Sequence, residues 1–116
     1  MLEPEEVCIV SEVWLAAGCL DHFRRLMARV TELLQQHGVE HAYHGHPFEW
    51  VSDPTEDELP TGIQVLRCEN EARARAVVAL LNDPELRAES QQVFRKTRTY
   101  LSRPTARPEL LDWLTR

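Results

Sequence analysis

Near its start the chain alternates. From Val7 to Leu15 the odd positions Val7, Ile9, Val13 and Leu15 are apolar, Ser11 being the exception, while Cys8, Val10, Glu12 and Trp14 are mixed. A period of two in a segment rich in β-branched and aromatic residues predicts a strand. After Ala16-Ala17-Gly18 the period lengthens: Leu20, Phe23, Leu26, Met27, Val30, Leu33 and Leu34 form one stripe running to His37. With Asp21, Arg24, Arg25 and Glu32 opposite, that stripe predicts an amphipathic helix. Gly38 stands where a left-handed C-cap closes such a helix.

Residues 39–51 predict a second strand, with Ala42, His44, His46, Phe48 and Trp50 on one parity and His41, Tyr43, Gly45, Pro47 and Glu49 on the other. Pro47 cannot donate to a ladder, so this strand is an edge, bulged or broken. Residues 52–61 are polar and punctuated by proline, which predicts a loop. Residues 62–68 predict a third strand, paired with the second as a hairpin. Asn70 can cap a helix carrying Ala72, Ala76, Val77, Leu80 and Leu81, and Asp83-Pro84 restarts a second helical piece with Leu86, Val93 and Phe94. Residues 97–101 predict a short last strand. The chain thus divides into an α+β domain over residues 1–103 and a tail over 104–116. Leu110, Leu111, Trp113 and Leu114 give that tail a short amphipathic helix, a strap for an interface or a sheet edge.

Strand, helix, strand, strand, helix, strand is the ferredoxin-like order, here a βαββαβ sandwich with a four-stranded antiparallel sheet. Both helices on one face leave the other sheet face bare. Val10, Trp14, Phe48 and Trp50 are expected on that face, and burying each large side chain is worth roughly 1.5–3 kcal/mol. The expected cover is a second copy of the chain under two-fold symmetry.

The stretch Ile9-Val-Ser-Glu-Val-Trp-Leu-Ala-Ala-Gly-Cys-Leu-Asp-His-Phe23 resembles the opening strand, glycine turn and helix of the dimeric α+β barrel superfamily. Val65-Leu-Arg-Cys-Glu-Asn-Glu-Ala-Arg-Ala-Arg-Ala76, followed by Asn82-Asp-Pro-Glu-Leu86, resembles its third strand, second helix and the kinked piece before the last strand. That superfamily includes antibiotic-biosynthesis monooxygenase-like proteins, EthD-like proteins and small bacterial domains of unknown function. The resemblance covers residues 7–102 and departs most over 41–60. It implies a ferredoxin-like dimeric α+β barrel, a homodimer, and a cofactor-independent oxygenase or isomerase-like proton transfer on a small apolar molecule. One fold hosts many functions, so a non-catalytic binding or accessory protein of the same fold stands beside the enzyme.

Length and composition narrow the field. The 116 residues fit one domain, with 43% apolar and 28% charged residues. A net charge of −6 disfavours nucleic acid and anionic membranes, since the clusters at Arg24, Arg25 and Arg29 and at Arg95, Lys96 and Arg98 read as solvated surface. No apolar run reaches the ~18 residues of a membrane helix. The acidic start is unlike a secretory signal, and Cys8, Cys19 and Cys68 form no CxxC pair, so a cytoplasmic location with reduced thiols is expected.

Three groups carry candidate chemistry. His44 and His46 share a face of a regular strand, a geometry that one metal or haem can use, with His41 turned the other way. The spacing supplies no third ligand, so no metal site is assigned. Glu12, mid-strand beside Trp14, becomes a general acid or base if His44, His46 or Tyr100 partners it; otherwise it pairs with Arg67 or Arg98. Trp14, Phe48, Trp50 and Tyr100 are candidate walls of an apolar ligand pocket. The sequence shows no phosphate-cradling glycine loop or nucleophile elbow.

Overall fold

A computed structural model of the protein describes residues 6–52, 55 and 57–104. The tail expected to carry Leu110, Leu111, Trp113 and Leu114 lies outside the described residues. The element order is β1 (Val7–Leu15), α1 (Leu20–Gln36), β2 (Glu40–Gly45), β3 (Gly62–Cys68), α2 (Glu71–Leu81), α3 (Pro84–Val93) and β4 (Phe94–Ser102). The four strands form one antiparallel sheet in the order β2-β3-β1-β4, the ferredoxin-like arrangement.

Local chemistry accounts for the element ends. Gly38 takes φ 68° directly after α1, where a side chain would be strained. Asn70 Oδ1 accepts from Arg73 N at 2.8 Å to open α2. Asp83 Oδ2 accepts from Glu85 N at 3.1 Å, and Pro84 begins α3 where no N–H is needed.

The core lies between the helices and one sheet face. Ile9 and Leu66 from the sheet meet Leu34 of α1 and Ala74 and Val77 of α2, all of them buried. The odd positions of β1 therefore face the helices and the even positions face away. Among the described residues, helices cover the first face only.

Three expectations are corrected. β2 ends at Gly45 instead of reaching Val51. Pro47 has no N–H to extend the ladder, and His46 Nδ1–H donates to Thr61 O at 2.6 Å in place of a strand bond. Second, a bulge between His41 and Tyr43 shifts the register, pairing His41 with Leu66 and His44 with Gln64. The extra residue puts His41 and His44 on one face, against the simple alternation. Third, β4 starts at Phe94, three residues earlier than expected, because α3 passes straight into it. Val93 O accepts from Ala16 N at 2.8 Å there, which ties that corner to the exit of β1.

Cys8, Cys19 and Cys68 are free thiols. Among the described residues no helix is long and apolar enough to cross a membrane.

Candidate functional site

The register places two contrasting rows across the full width of the sheet. On the helix side His44 of β2 pairs with Gln64 of β3, Gln64 with Ser11 of β1, and Ser11 with Thr99 of β4. Each member is polar. The Ser11 and Thr99 hydroxyls meet at 3.3 Å, and Gln64 Nε2 donates to His41 Nε2 at 3.0 Å. On the opposite side the next row reads Tyr43, Val65, Val10 and Tyr100. It is apolar at every strand. An isolated two-layer protein places such residues the other way round, apolar under the helices and polar outside.

Gln64, Ser11 and Thr99 of the polar row, with Thr97, form the floor of a cleft of about 660 Å³ between the sheet, α1 and α3. That volume suits a small ligand. Its walls are apolar, from Leu26, Met27 and Val30 of α1, Leu81 of α2 and Leu86 of α3. Ser90 and Arg87 of α3 add polar groups, and no carboxylate, imidazole or thiol is among the described lining. Phe23 and Phe94 meet edge to face at 5.8 Å, joining α1 to the start of β4.

On the outer side of the helices one carboxylate joins two walls of the cleft. Glu89 of α3 accepts from His22 Nε2 at 3.0 Å and lies 2.7 Å from Arg29 Nη1, both on α1. The His22 hydrogen bond, backed by Arg29, holds the Glu89 carboxyl below its usual pKa.

His41 positions Gln64 while neutral, because only the uncharged ring has a nitrogen free to accept. Burial first, and the nearby His44 charge second, lower its pKa from the ordinary value. The sign follows: the unfolded chain takes up a proton that the folded chain resists. The contribution of His41 is full above about pH 6.5 and is lost as the pH falls through the folded value. Between pH 7.5 and 5 the urea midpoint of the wild type is expected to fall further than that of His41→Gln. Parallel curves would remove the coupling.

The structure separates the other candidates. Glu12 lies on the bare face, 2.5 Å from Arg98 Nε, so it forms the alternative ion pair and stands across the sheet from His44. No single cavity holds the two, because neighbouring residues of β1 point to opposite faces. His44 borders α1 beside Met27 and Thr31, outside the main cleft, and His46 is bound to Thr61. The ring centroids of His41 and His44 are 5.6 Å apart, and among the described residues no group of three His, Cys, Asp or Glu gathers around a common point.

The aromatic candidates scatter as well. Trp14 is 4% exposed, its indole N–H donating to Glu58 O at 3.1 Å and Lys96 Nζ sitting 4.5 Å from its ring centroid. Phe48 is 83% exposed, and the Trp50 indole donates to Asp57 O at 2.5 Å; both lie in the connection after β2. Tyr100 is on the bare face. The residues missed from the sequence were Ser11, Gln64, Thr97 and Thr99. Their signal was present: Ser11 broke the apolar alternation, and the other three stand at helix-facing positions of the neighbouring strands.

No protein-family model matches the chain, and none of the curated proteins does. Solved structures do. A protein of unknown function from Rhodopseudomonas palustris superposes with a TM-score of 0.67 at 11% identity, over 90% of this chain and 85% of that one. SnoaB, a cofactor-independent oxygenase from Streptomyces nogalater, gives 0.59 at 13%, over 88% and 95%. A putative antibiotic biosynthesis monooxygenase from Bacteriodes thetaiotaomicron gives 0.60 at 13%, over 88% and 91%. The fold that the chain shares with these structures is ferredoxin-like. At this level of identity the likeness concerns the backbone, and the side chains of the cleft are this chain's own.

Proposed function

We propose that the chain is a cytoplasmic homodimer that binds a small, largely apolar, oxygen-bearing molecule in the α1–α3 cleft. On this reading it acts on that molecule in the manner of a cofactor-independent oxygenase. The carrying observation is the polar row Gln64–Ser11–Thr99 on the floor of an otherwise apolar cleft. Apolar walls supply affinity by burial, and a few convergent hydrogen-bonding groups set orientation. The resemblance in fold to SnoaB suggests the reaction type.

The dimer rests on the bare face. Tyr43 and Tyr100 are 57% and 48% exposed there, with Val10 and Val65 between them. Ion pairs flank this apolar row on both sides, Glu12–Arg98 along one and Arg67 with Glu6 and Glu40 along the other. An apolar centre with a charged rim is the anatomy of a protein interface, and both signs of charge allow the face to meet itself.

Binding without turnover is favoured by one observation, the absence of any carboxylate, imidazole or thiol among the described cleft lining. An oxygen electrode separates the two readings, using simple phenols and naphthols with no added metal or flavin. Saturable oxygen uptake that Gln64→Leu lowers at least ~10-fold, the loss of one hydrogen bond worth about 1.4 kcal/mol, is the expected result. Binding by calorimetry with no uptake would leave a binding protein. Neither binding nor uptake would overturn the proposal.

A further inference from the structure

At the edge of the cleft stands one exposed cation with no ion-pair partner among the described residues. Arg87 sits in α3 and lines the cleft wall above the polar row. Among the described residues it has no ion-pair partner, and apart from Arg25 every other described arginine is in a salt bridge. The two further cationic residues bordering the cleft are engaged elsewhere: Arg95 pairs with Glu58, and Lys96 lies over the Trp14 ring on the opposite sheet face. The chain has 19 acidic residues, and none is among the described lining of the cleft. In a protein of net charge −6, the described lining of this cavity thus carries no negative charge and has a guanidinium beside it.

We infer that the ligand of this cleft is an amphipathic organic anion, an apolar body ending in a carboxylate or an acidic enol or phenol oxygen that Arg87 holds. This rests on the cleft reading above and adds the charge of the ligand to it. The apolar body lies against Leu26, Met27 and Leu86, with the acidic oxygen turned to the guanidinium. A guanidinium presents paired N–H donors in a plane, which matches a carboxylate and also serves a single oxyanion. Arg87 is exposed at the edge of the cleft, so the attraction it adds is that of an ion pair at a solvent-facing guanidinium.

The test uses 2-naphthoate and its neutral near-isostere 2-naphthamide as probes, titrated calorimetrically into the full chain. Wild-type protein is expected to bind the acid about 3-fold more tightly than the amide, as for one ion pair at an exposed guanidinium. Arg87→Gln should abolish that preference and leave amide binding within about twofold, while Arg25→Gln, on the exposed side of α1, changes neither. Amide chemical shifts should move at Ser11, Gln64 and Thr99, which places the probe. Phenolate-forming 2-naphthol, compared below and above its own pKa, distinguishes the acidic-oxygen classes. Equal affinity for acid and amide, or a preference that survives Arg87→Gln, would overturn the inference and leave the cleft reading standing. If neither probe binds, or the shifts move elsewhere, both fall.

Discussion

Val65→Asp is expected to turn a dimer into a monomer. Val65 sits in the middle of the outward row, between Val10 and Tyr43, with Tyr100 beyond Val10. A carboxylate buried there without a partner costs about 3 kcal/mol or more. That weakens self-association over ~100-fold. The isolated subunit should keep its fold, since the same substitution on a sheet face open to water costs on the order of 1 kcal/mol. Val65→Thr preserves shape and branching and is expected to remain largely dimeric. Sedimentation equilibrium on the three proteins decides it. A wild type that stays monomeric at tens of micromolar would end the dimer proposal at once.

The second large effect is expected at Trp14. Its ring is almost wholly enclosed, and its indole N–H fixes the backbone at Glu58. Thr61 adds two bonds nearby, donating from its N to Val13 O at 2.7 Å and accepting from Leu15 N through its hydroxyl at 3.0 Å. Trp14→Ala removes the largest enclosed aromatic among the described residues and should cost about 3–5 kcal/mol. Faster hydrogen exchange should accompany it in residues 57–61, whose anchor is lost. Trp14→Phe isolates the hydrogen bond, at about 1 kcal/mol plus some packing. Phe48→Ala, by contrast, should stay within ~0.5 kcal/mol, because that ring is in water. Denaturant unfolding of the three variants tests the ranking. Comparable losses at Trp14 and Phe48 would contradict the packing described here.

Those two aromatics show how far sequence reading reaches in this chain. Trp14 and Phe48 fall on the same parity of consecutive predicted strands, and parity alone does not separate them. Pro47 separates them in space by stopping the ladder, so one ring is covered while the other stands clear. Regular patterns transferred well: the alternation of residues 7–15, the stripe of α1 and the caps at Asn70 and Asp83 all correspond to observed elements. These depend on neighbours a few positions away. Register does not. The bulge at His41–Tyr43 adds a single residue to β2, and that residue decides which histidines are neighbours.

The cleft was hidden for a related reason. Its floor consists of a serine, a glutamine and two threonines drawn from three strands, and apart from Thr97 and Thr99 none of them is close in sequence. Ser11 alone looks like a flaw in an apolar alternation. Paired with Gln64 on one side and Thr99 on the other, it becomes the centre of a polar band. Glu12 attracted notice because carboxylates do chemistry, yet its neighbour across the strands is Arg98, and an ion pair satisfies it.

The corner where α3 becomes β4 has a mechanical consequence. With no residue of slack between Val93 and Phe94, and with Val93 O bound to Ala16 N, that helix and the strand below it must tilt together as a single lever. A lone acidic side chain, Glu89, gripped by a histidine and an arginine, is the latch that such a movement has to release.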